Sequence, residues 1–237
     1  MRIELISAVP EVLRSPLEHS IIGRARESGL VDIRIHDLRD YSEDKHRKVD
    51  DYPYGGGGGM VLTPQPVFDC VEAIKNSSGI DEVLFPTPDA PVFTQQDAVN
   101  LSLNENIIIL CGHYKGVDQR VRDQLITKEF SIGDYVLSGG ELPALVMIDS
   151  VVRLIPGALG DAQSALSDSF QESLLGSPVY TRPANFRGFE IPEVLQSGDH
   201  KKVEQWKHDQ AVRKTKAIRP DIFENFKKEQ QNEDWQR

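Results

Sequence analysis

The feature that most constrains the fold is an unbroken apolar run at residues 107–111, Ile-Ile-Ile-Leu-Cys. A strand with one solvated face alternates apolar and polar residues, so a run that is apolar at every position is typical of a strand buried on both faces. Such strands belong almost entirely to parallel sheets covered by helices on either side. The run therefore predicts an α/β domain, with this strand at the centre of a mostly parallel sheet.

The rest of the N-terminal two thirds alternates strand and helix patterns, as an α/β fold requires. Further strands are predicted at residues 2–6, 31–35 and 82–85, and a short one at 128–132. The helices expected between them cover residues 15–28, 67–74, a segment capped by Thr94 and Asp97, 117–126 and 141–154. For the first of these, Ser15 and Pro16 are the predicted start and Gly29 the predicted stop.

In open parallel sheets, ligands bind beyond the carboxyl ends of the strands. Three loops of this chain occupy that position: residues 85–88, 112–116 and 133–140. We expect them to converge on one pocket. The third loop lies in the glycine-punctuated segment 131–143, which is open to two interpretations: a tight strand-to-helix turn, or backbone that approaches a ligand closely.

The polar and glycine-rich stretch 39–60 is too long for an ordinary connection. It contains a basic cluster at residues 45–48, which is either a solvated charge run or a contact for RNA phosphate. The five glycines at 55–59 are not followed by Gly-Lys-Ser/Thr, so a phosphate-binding P-loop is disfavoured and a flexible hinge is the alternative.

The C-terminal third changes character. Residues 156–176 are rich in Gly, Ala, Ser and Asp, which indicates a linker between domains. A helix is predicted at about 199–217, broken by Arg219-Pro220, and a last helix runs to about residue 230. This tail is expected to be a small helical domain whose cations outnumber the acids around them: Lys201, Lys202, Lys207, Arg213, Lys214, Lys216 and Arg219.

The formal net charge of −10 argues against a nucleic-acid partner, because phosphate binding usually needs a basic surface. The basic tail could supply the surface that phosphate binding needs, either alone or in a dimer that combines two such tails. No run reaches the roughly 20 apolar residues of a membrane span, and the N-terminus lacks a signal-peptide pattern, so we expect a cytoplasmic protein without membrane contact. Cys70 and Cys111 lie in apolar runs and are expected to be buried free thiols, and no metal site is predicted.

Residues 132–141, Ile-Gly-Asp-Tyr-Val-Leu-Ser-Gly-Gly-Glu, resemble the cofactor loop of the bacterial tRNA (guanine-N1)-methyltransferases. These are SPOUT-class enzymes with a knotted fold. Segments 54–60, 110–120, 180–183 and 191–206 resemble the other signature segments of that family, in the same order along the chain. Five ordered segments make this resemblance far more specific than one glycine loop.

The resemblance implies a C-terminal trefoil-knotted cofactor site within a SPOUT domain at residues 1–157, a linker at 158–176 and a helical tRNA-binding domain at 177–237. It implies S-adenosylmethionine as cofactor, leaves the need for magnesium open, and implies a homodimer whose active sites are shared between subunits. The implied cofactor-binding residues are Phe85, Pro86, Thr87, Pro88, Gly112, Ile132, Gly133, Asp134, Tyr135, Val136, Leu137, Gly139 and Gly140. The implied RNA-binding residues are Lys45, Arg47, Tyr54, Arg182, Lys201, Lys207 and Arg213.

The implied reaction is methyl transfer to N1 of the guanosine 3′ to a tRNA anticodon (position 37). Because that nitrogen carries a proton, the enzyme needs a base at N1 and a positive group at O6. Asp168 matches the family's proposed base and Arg153 its proposed O6 partner. Each has a plain structural alternative, Asp168 as a helix N-cap and Arg153 as a cation at a helix C-terminus.

The chain departs from the family pattern at several positions. His113 and Lys115 stand where the family more often has Arg and Glu, Gly176 stands where it often has Asp, and the glycines at 55–59 lack the usual proline. Two other functions stay open: a SPOUT RNA methyltransferase with a different target base, and an RNA-binding protein that has lost catalysis. Saturable binding of S-adenosylmethionine would distinguish an enzyme from the second of these.

Overall fold

The computed structural model describes residues 1–160, 169–170 and 174–234, and Asp168 falls outside these ranges. The chain divides into two compact units, Met1–Ala162 and Gln163–Arg237. Within the described part of the chain, no helix combines the length and the apolar character that crossing a membrane would require.

The first unit is built on a sheet of five strands, which are β1 Arg2–Ser7, β2 Asp32–Asp37, β5 Glu82–Pro86, β6 Asn106–Leu110 and β7 Lys128–Phe130. Two further strands, β3 Asp50–Asp51 and β4 Val61–Leu62, form a separate short ladder. The order in the sheet is β2-β1-β6-β5-β7, and every neighbouring pair is parallel. Strand β6 lies in the middle, which confirms the position predicted from its apolar run.

Helices cover both faces of this sheet. They are α1 Glu11–Leu17, α2 Ser20–Glu27, α3 Pro64–Ser77, α4 Gln95–Ser102, α5 Gln119–Leu125 and α6 Glu141–Val152. Successive residues of β6 enter opposite cores: Ile107 and Ile109 pack with residues of α1, α2, α4 and α6, whereas Ile108 and Leu110 pack with residues of α3 and α5. The unbroken apolar sequence of β6 is thus explained by a core on each side.

The single helix predicted at residues 15–28 is wrong, because the segment forms two helices, α1 and α2. Pro16 lies inside α1, and the chain turns at Glu18 and His19 before α2 begins. Gly23 permits the tight turn: a Cβ atom there would lie 2.5 Å from the Glu18 carbonyl oxygen. Gly29 follows the end of α2 with φ of +70°, the left-handed conformation expected of a helix stop.

The stretch between β2 and α3 is anchored to the segment that follows β6. The Lys115 amide donates to the Met60 carbonyl at 2.9 Å, and the Leu62 amide donates to the Gly116 carbonyl at 3.0 Å. The Asp118 amide in turn donates to the Leu62 carbonyl at 3.0 Å. The end of the glycine-rich loop is therefore fixed beside residues 113–118.

The second unit contains the hairpin β8 Asn185–Phe186 and β9 Phe189–Glu190, and the helices α7 His200–Ile218 and α8 Pro220–Asp234. Both helices match the prediction, and the Asp199 side chain caps α7 by accepting from the Lys202 amide at 3.2 Å. The predicted all-helical tail omitted the hairpin. Its turn uses Arg187 and Gly188 at positive φ, a geometry that suits a two-residue hairpin loop. The trefoil knot stays a prediction of the resemblance.

Candidate active site

The loops that follow β5, β6 and β7 line one cavity of about 300 Å³ at the carboxyl edge of the sheet. This volume is at the lower end of the range of small-molecule sites, roughly 300–1,000 Å³. The three loops are joined by backbone hydrogen bonds. The Gly140 amide donates to the Gly112 carbonyl at 2.7 Å, and the Thr87 amide donates to the Phe130 carbonyl at 2.8 Å.

Two glycines allow these loops to pack closely. A Cβ atom at Gly140 would lie 2.7 Å from the Gly112 amide nitrogen and 3.0 Å from the Cys111 Cα atom, both of which are backbone. A Cβ atom at Gly112 would lie 2.9 Å from the Phe85 ring. The close approach expected of this glycine-punctuated segment is therefore made by the protein's own atoms, which form the wall of the cavity.

A buried carboxylate lies behind this wall. Glu141 in the first turn of α6 is 3% exposed, and its Oε1 atom accepts from the Ser7 hydroxyl at 2.7 Å. Its Oε2 atom lies 3.8 Å from Nδ1 of His113, a buried atom without a hydrogen-bond partner among the described residues. Sequence reasoning did not find this pair, although an acid directly after Gly-Gly in an otherwise apolar helix is a signal for it.

Arg122 of α5 forms the charged side of the cavity. Its guanidinium donates to both oxygens of Glu129, at 2.8 and 2.6 Å, and to Asp89 at 3.0 Å. It also lies over the Phe85 ring, 5.6 Å from the centroid. The hydrogen bonds to Glu129 raise the pKa of Arg122 further, and hydrogen bonds from Thr87 and then Arg122 lower the pKa of Asp89.

Most of the predicted cofactor-binding residues line the cavity. Those that do so are Phe85, Pro86, Thr87, Pro88, Gly112, Ile132, Gly133, Tyr135, Val136, Leu137 and Gly139. Asp134 is an exposed residue outside the lining, and Gly140 lies behind it. Asp89 and Arg122 also line the cavity and were not predicted. No sequence signal pointed to Arg122, because the helix that contains it shows only an amphipathic pattern.

Arg153 lies far from the cavity within one chain. It is the C-cap residue of α6, and the wall of the cavity is at the opposite end of the same 12-residue helix. At 1.5 Å per residue the two ends are about 18 Å apart. This position also agrees with the structural alternative for Arg153, a cation at the C-terminus of a helix. Asp168, the other predicted catalytic residue, is outside the described residues.

The predicted RNA-binding residues are on the surface. Lys45, Tyr54, Arg182, Lys201, Lys207 and Arg213 are exposed. Arg47 is exposed too, but its guanidinium pairs with Asp40 and lies 4.0 Å from Asp37, so much of its charge is already balanced. The RNA contacts of all seven residues stay predictions.

Cys70 and Cys111 are buried free thiols, as predicted. Burial raises the pKa of Cys70 to about 12 and that of Cys111 well above its usual value, so neither is a thiolate at neutral pH. In the ranges that the structure covers, no three His, Cys, Asp or Glu side chains come together as a metal site would need. The prediction of no metal site stays a prediction.

Comparison with known proteins gives one consistent result. The family model described as "tRNA (Guanine-1)-methyltransferase TrmD" matches residues 1–225. Relatives named tRNA (guanine-N(1)-)-methyltransferase from Christiangramia forsetii and Flavobacterium psychrophilum are each 56% identical over 225 residues, 95% of this chain and 100% of theirs. One from Bacteroides thetaiotaomicron is 53% identical with the same coverage. The chain therefore belongs to the tRNA (guanine-N1)-methyltransferase family, as its five signature segments predicted.

Proposed function

We propose that this chain methylates N1 of the guanosine 3′ to the anticodon of tRNA, with S-adenosylmethionine as methyl donor. The observation that carries the proposal is the cavity at the carboxyl edge of the sheet, formed by signature loops in a chain that is 56% identical to named enzymes over 95% of its length. We infer that the protein acts in the cytoplasm.

The lining of the cavity suits S-adenosylmethionine, and its volume is in the range of small-molecule sites. Phe85 and Leu137 supply apolar surface for a flat adenine, and the backbone groups of Gly112, Gly133 and Gly139 line the same cavity. When bound, the cofactor supplies an electrophilic methyl group on its sulfonium. The residues of the three loops would bind it and exclude water from that group.

The target nitrogen must lose its proton before it can accept the methyl group. We propose Asp168 as the base and Arg153 as the group that stabilises the negative charge forming at guanine O6. A free Asp has a pKa near ~3.9 and is a weak base for this proton. We favour a scheme in which Arg153 makes the guanine more acidic at the moment Asp168 accepts the proton.

We propose that the active site is shared between two copies of the chain. An arginine side chain spans much less than the ~18 Å that separates Arg153 from its own cavity along α6. The same helix has an exposed apolar face, with Leu142 and Val146 about half exposed one turn apart. A second copy packed on this face would bury it and could bring its own Arg153 and Asp168 to the first copy's cavity.

We assign tRNA binding to residues 177–237 and the cofactor site to 1–157, joined by the linker 158–176. The exposed cations Lys201, Lys207 and Arg213 on α7 support this assignment, since they supply the basic surface that an acidic chain needs for phosphate.

The test is chemical identification of the product. tRNA incubated with protein and S-adenosylmethionine is digested to nucleosides, and the proposal predicts 1-methylguanosine as the only new methylated nucleoside. Asp168→Asn is expected to lower turnover by about 10²-fold or more while retaining cofactor binding. A different methylated base would move the target, and near wild-type turnover of Asp168→Asn would remove Asp168 from the mechanism.

A catalytically inactive RNA-binding protein is the second candidate, favoured only by His113 and Lys115. Calorimetric titration with S-adenosylmethionine separates the two functions. Saturable binding supports the enzyme, whereas tRNA binding without cofactor binding would support the inactive protein.

A further inference from the structure

The charges that line the cavity are not all balanced. Arg122 is neutralised by Glu129 and Asp89, with which it makes hydrogen bonds of 2.6–3.0 Å. His113 faces the buried carboxylate of Glu141 at 3.8 Å. Arg122 is therefore not available as a cation for a ligand without breaking these hydrogen bonds, and any charge on His113 would already face a carboxylate.

Lys115 is different. It lines the same cavity, it is exposed, and no carboxylate of the described residues lies within 4.0 Å of its ammonium group. Among the described residues of the lining, its charge is the one that no acidic side chain balances. A cation in this situation at the edge of a cavity is a site for an anionic group of the ligand.

The position of Lys115 is fixed by its neighbours. Its amide donates to the Met60 carbonyl at 2.9 Å, and its side chain crosses the glycine loop. A Cβ atom at Gly59 would lie 3.1 Å from Cγ of Lys115, and one at Gly57 would lie 3.9 Å from its Nζ atom. The lysine stem thus lies against the glycine loop, where Gly59 leaves room for it, and Lys115 also lines the cavity.

We propose that the ammonium of Lys115 binds the α-carboxylate of S-adenosylmethionine. The inference rests on the proposed function, because it takes that molecule as the occupant of the cavity. The carboxylate is the only anionic group of the ligand, and Lys115 is the cation left to receive it. Lys115 is then a specificity residue that distinguishes the intact amino-acid tail from a tail without its carboxylate.

The experiment compares two ligands by calorimetry on the full-length protein. They are S-adenosylmethionine and its decarboxylated form, which keeps the sulfonium and the amine and lacks the carboxylate. The wild type is expected to bind the intact ligand about 5- to 10-fold more tightly, the range for a charge-assisted contact that is partly exposed. In Lys115→Met the two affinities are expected to become nearly equal, mainly through weaker binding of the intact ligand.

Two further variants control the interpretation. Lys115→Arg keeps the charge and is expected to keep the preference for the carboxylate. Lys75→Met removes an exposed lysine of α3 outside the cavity and is expected to match the wild type. Lys115→Glu is expected to reverse the preference, because the new carboxylate repels that of the ligand.

The outcomes separate this inference from the proposed function. If Lys115→Met weakens both ligands equally, or neither, Lys115 only supports the glycine loop and the inference is overturned while the proposed function stands. If the wild type binds neither ligand, the proposed function fails and the inference fails with it.

Discussion

The two ends of α6 are built in opposite ways. At the N-terminal end, Gly140 and Glu141 are buried, joined to Gly112 and Ser7 by hydrogen bonds, and form the wall of the cavity. At the C-terminal end, Arg153 is only partly buried and lies about 18 Å from that wall. One chain thus holds a complete cavity but keeps its proposed catalytic arginine away from it. On the proposal of a shared site, one chain would suffice to bind the cofactor and catalysis would need two.

The largest expected effect is at the C-terminal end. Arg153→Ala is expected to lower kcat by about 10²- to 10³-fold, the usual loss when one group that stabilises transition-state charge is removed. Cofactor affinity is expected to stay unchanged, because Arg153 is proposed to contact guanine O6 and not the cofactor. Steady-state rates and calorimetry measure the two effects. A drop in Tm with kcat preserved would show that Arg153 only caps the helix.

The N-terminal end is expected to show the reverse pattern. Gly140→Ala places a methyl group against backbone atoms of Gly112 and Cys111, so the wall must shift. Overpacking of this kind is worth roughly 1–3 kcal/mol, and we expect cofactor affinity to fall by about 5- to 150-fold. Gly79→Ala is the matched control, since a Cβ atom there meets nothing within 4 Å. Equal cofactor affinity in both variants would contradict the role given to Gly140.

A smaller effect is expected on the charged side of the cavity. Arg122→Met removes the cation that pairs with both Asp89 and Glu129, so the two carboxylates lose this ion pair. We expect about 5-fold weaker cofactor binding, on the order of 1 kcal/mol. Arg120→Met on the same helix is the control, because Arg120 pairs with Asp118 and does not line the cavity. If the two variants bind equally well, Arg122 does not shape the site.

The smallest effect concerns acid stability. The pKa of Asp89 is lower in the folded protein than in the unfolded chain, because Thr87 and Arg122 hydrogen-bond to the carboxylate. Its stabilisation is therefore complete above the unfolded value of ~3.9 and is lost as the pH falls through the folded value. Asp89 is 59% exposed, so the contribution is below about 1 kcal/mol. Denaturant midpoints at pH 7 and pH 3 should differ less in Asp89→Asn than in the wild type.

Sequence reasoning found the sheet and its central strand because a strand that is buried on both faces is apolar at every position. The turn between α1 and α2 was missed. It needs a residue without a side chain at Gly23, beside the Glu18 carbonyl, and a single glycine in an apolar pattern does not reveal such a turn. The pair of Glu141 and His113 was missed for a similar reason: the two residues are 28 positions apart and meet only when the loops after β6 and β7 converge. Motif resemblance supplied the reaction, while charge balance within the cavity is visible only in three dimensions.

A mixed dimer tests the shared site most directly. Gly140→Ala and Arg153→Ala chains, carrying different affinity tags, are co-expressed and purified through both tags. Methyl transfer to a tRNA transcript is measured at a cofactor concentration that saturates the wild-type cavity but lies well below the Kd of Gly140→Ala, so that both parents are nearly inactive. If each site takes its cavity from one chain and Arg153 from the other, one of the two sites is intact and the mixed dimer keeps about half of the wild-type rate, far above either parent. A mixed dimer as inactive as its parents would contradict the account, because the cavity and Arg153 would then have to act within one chain.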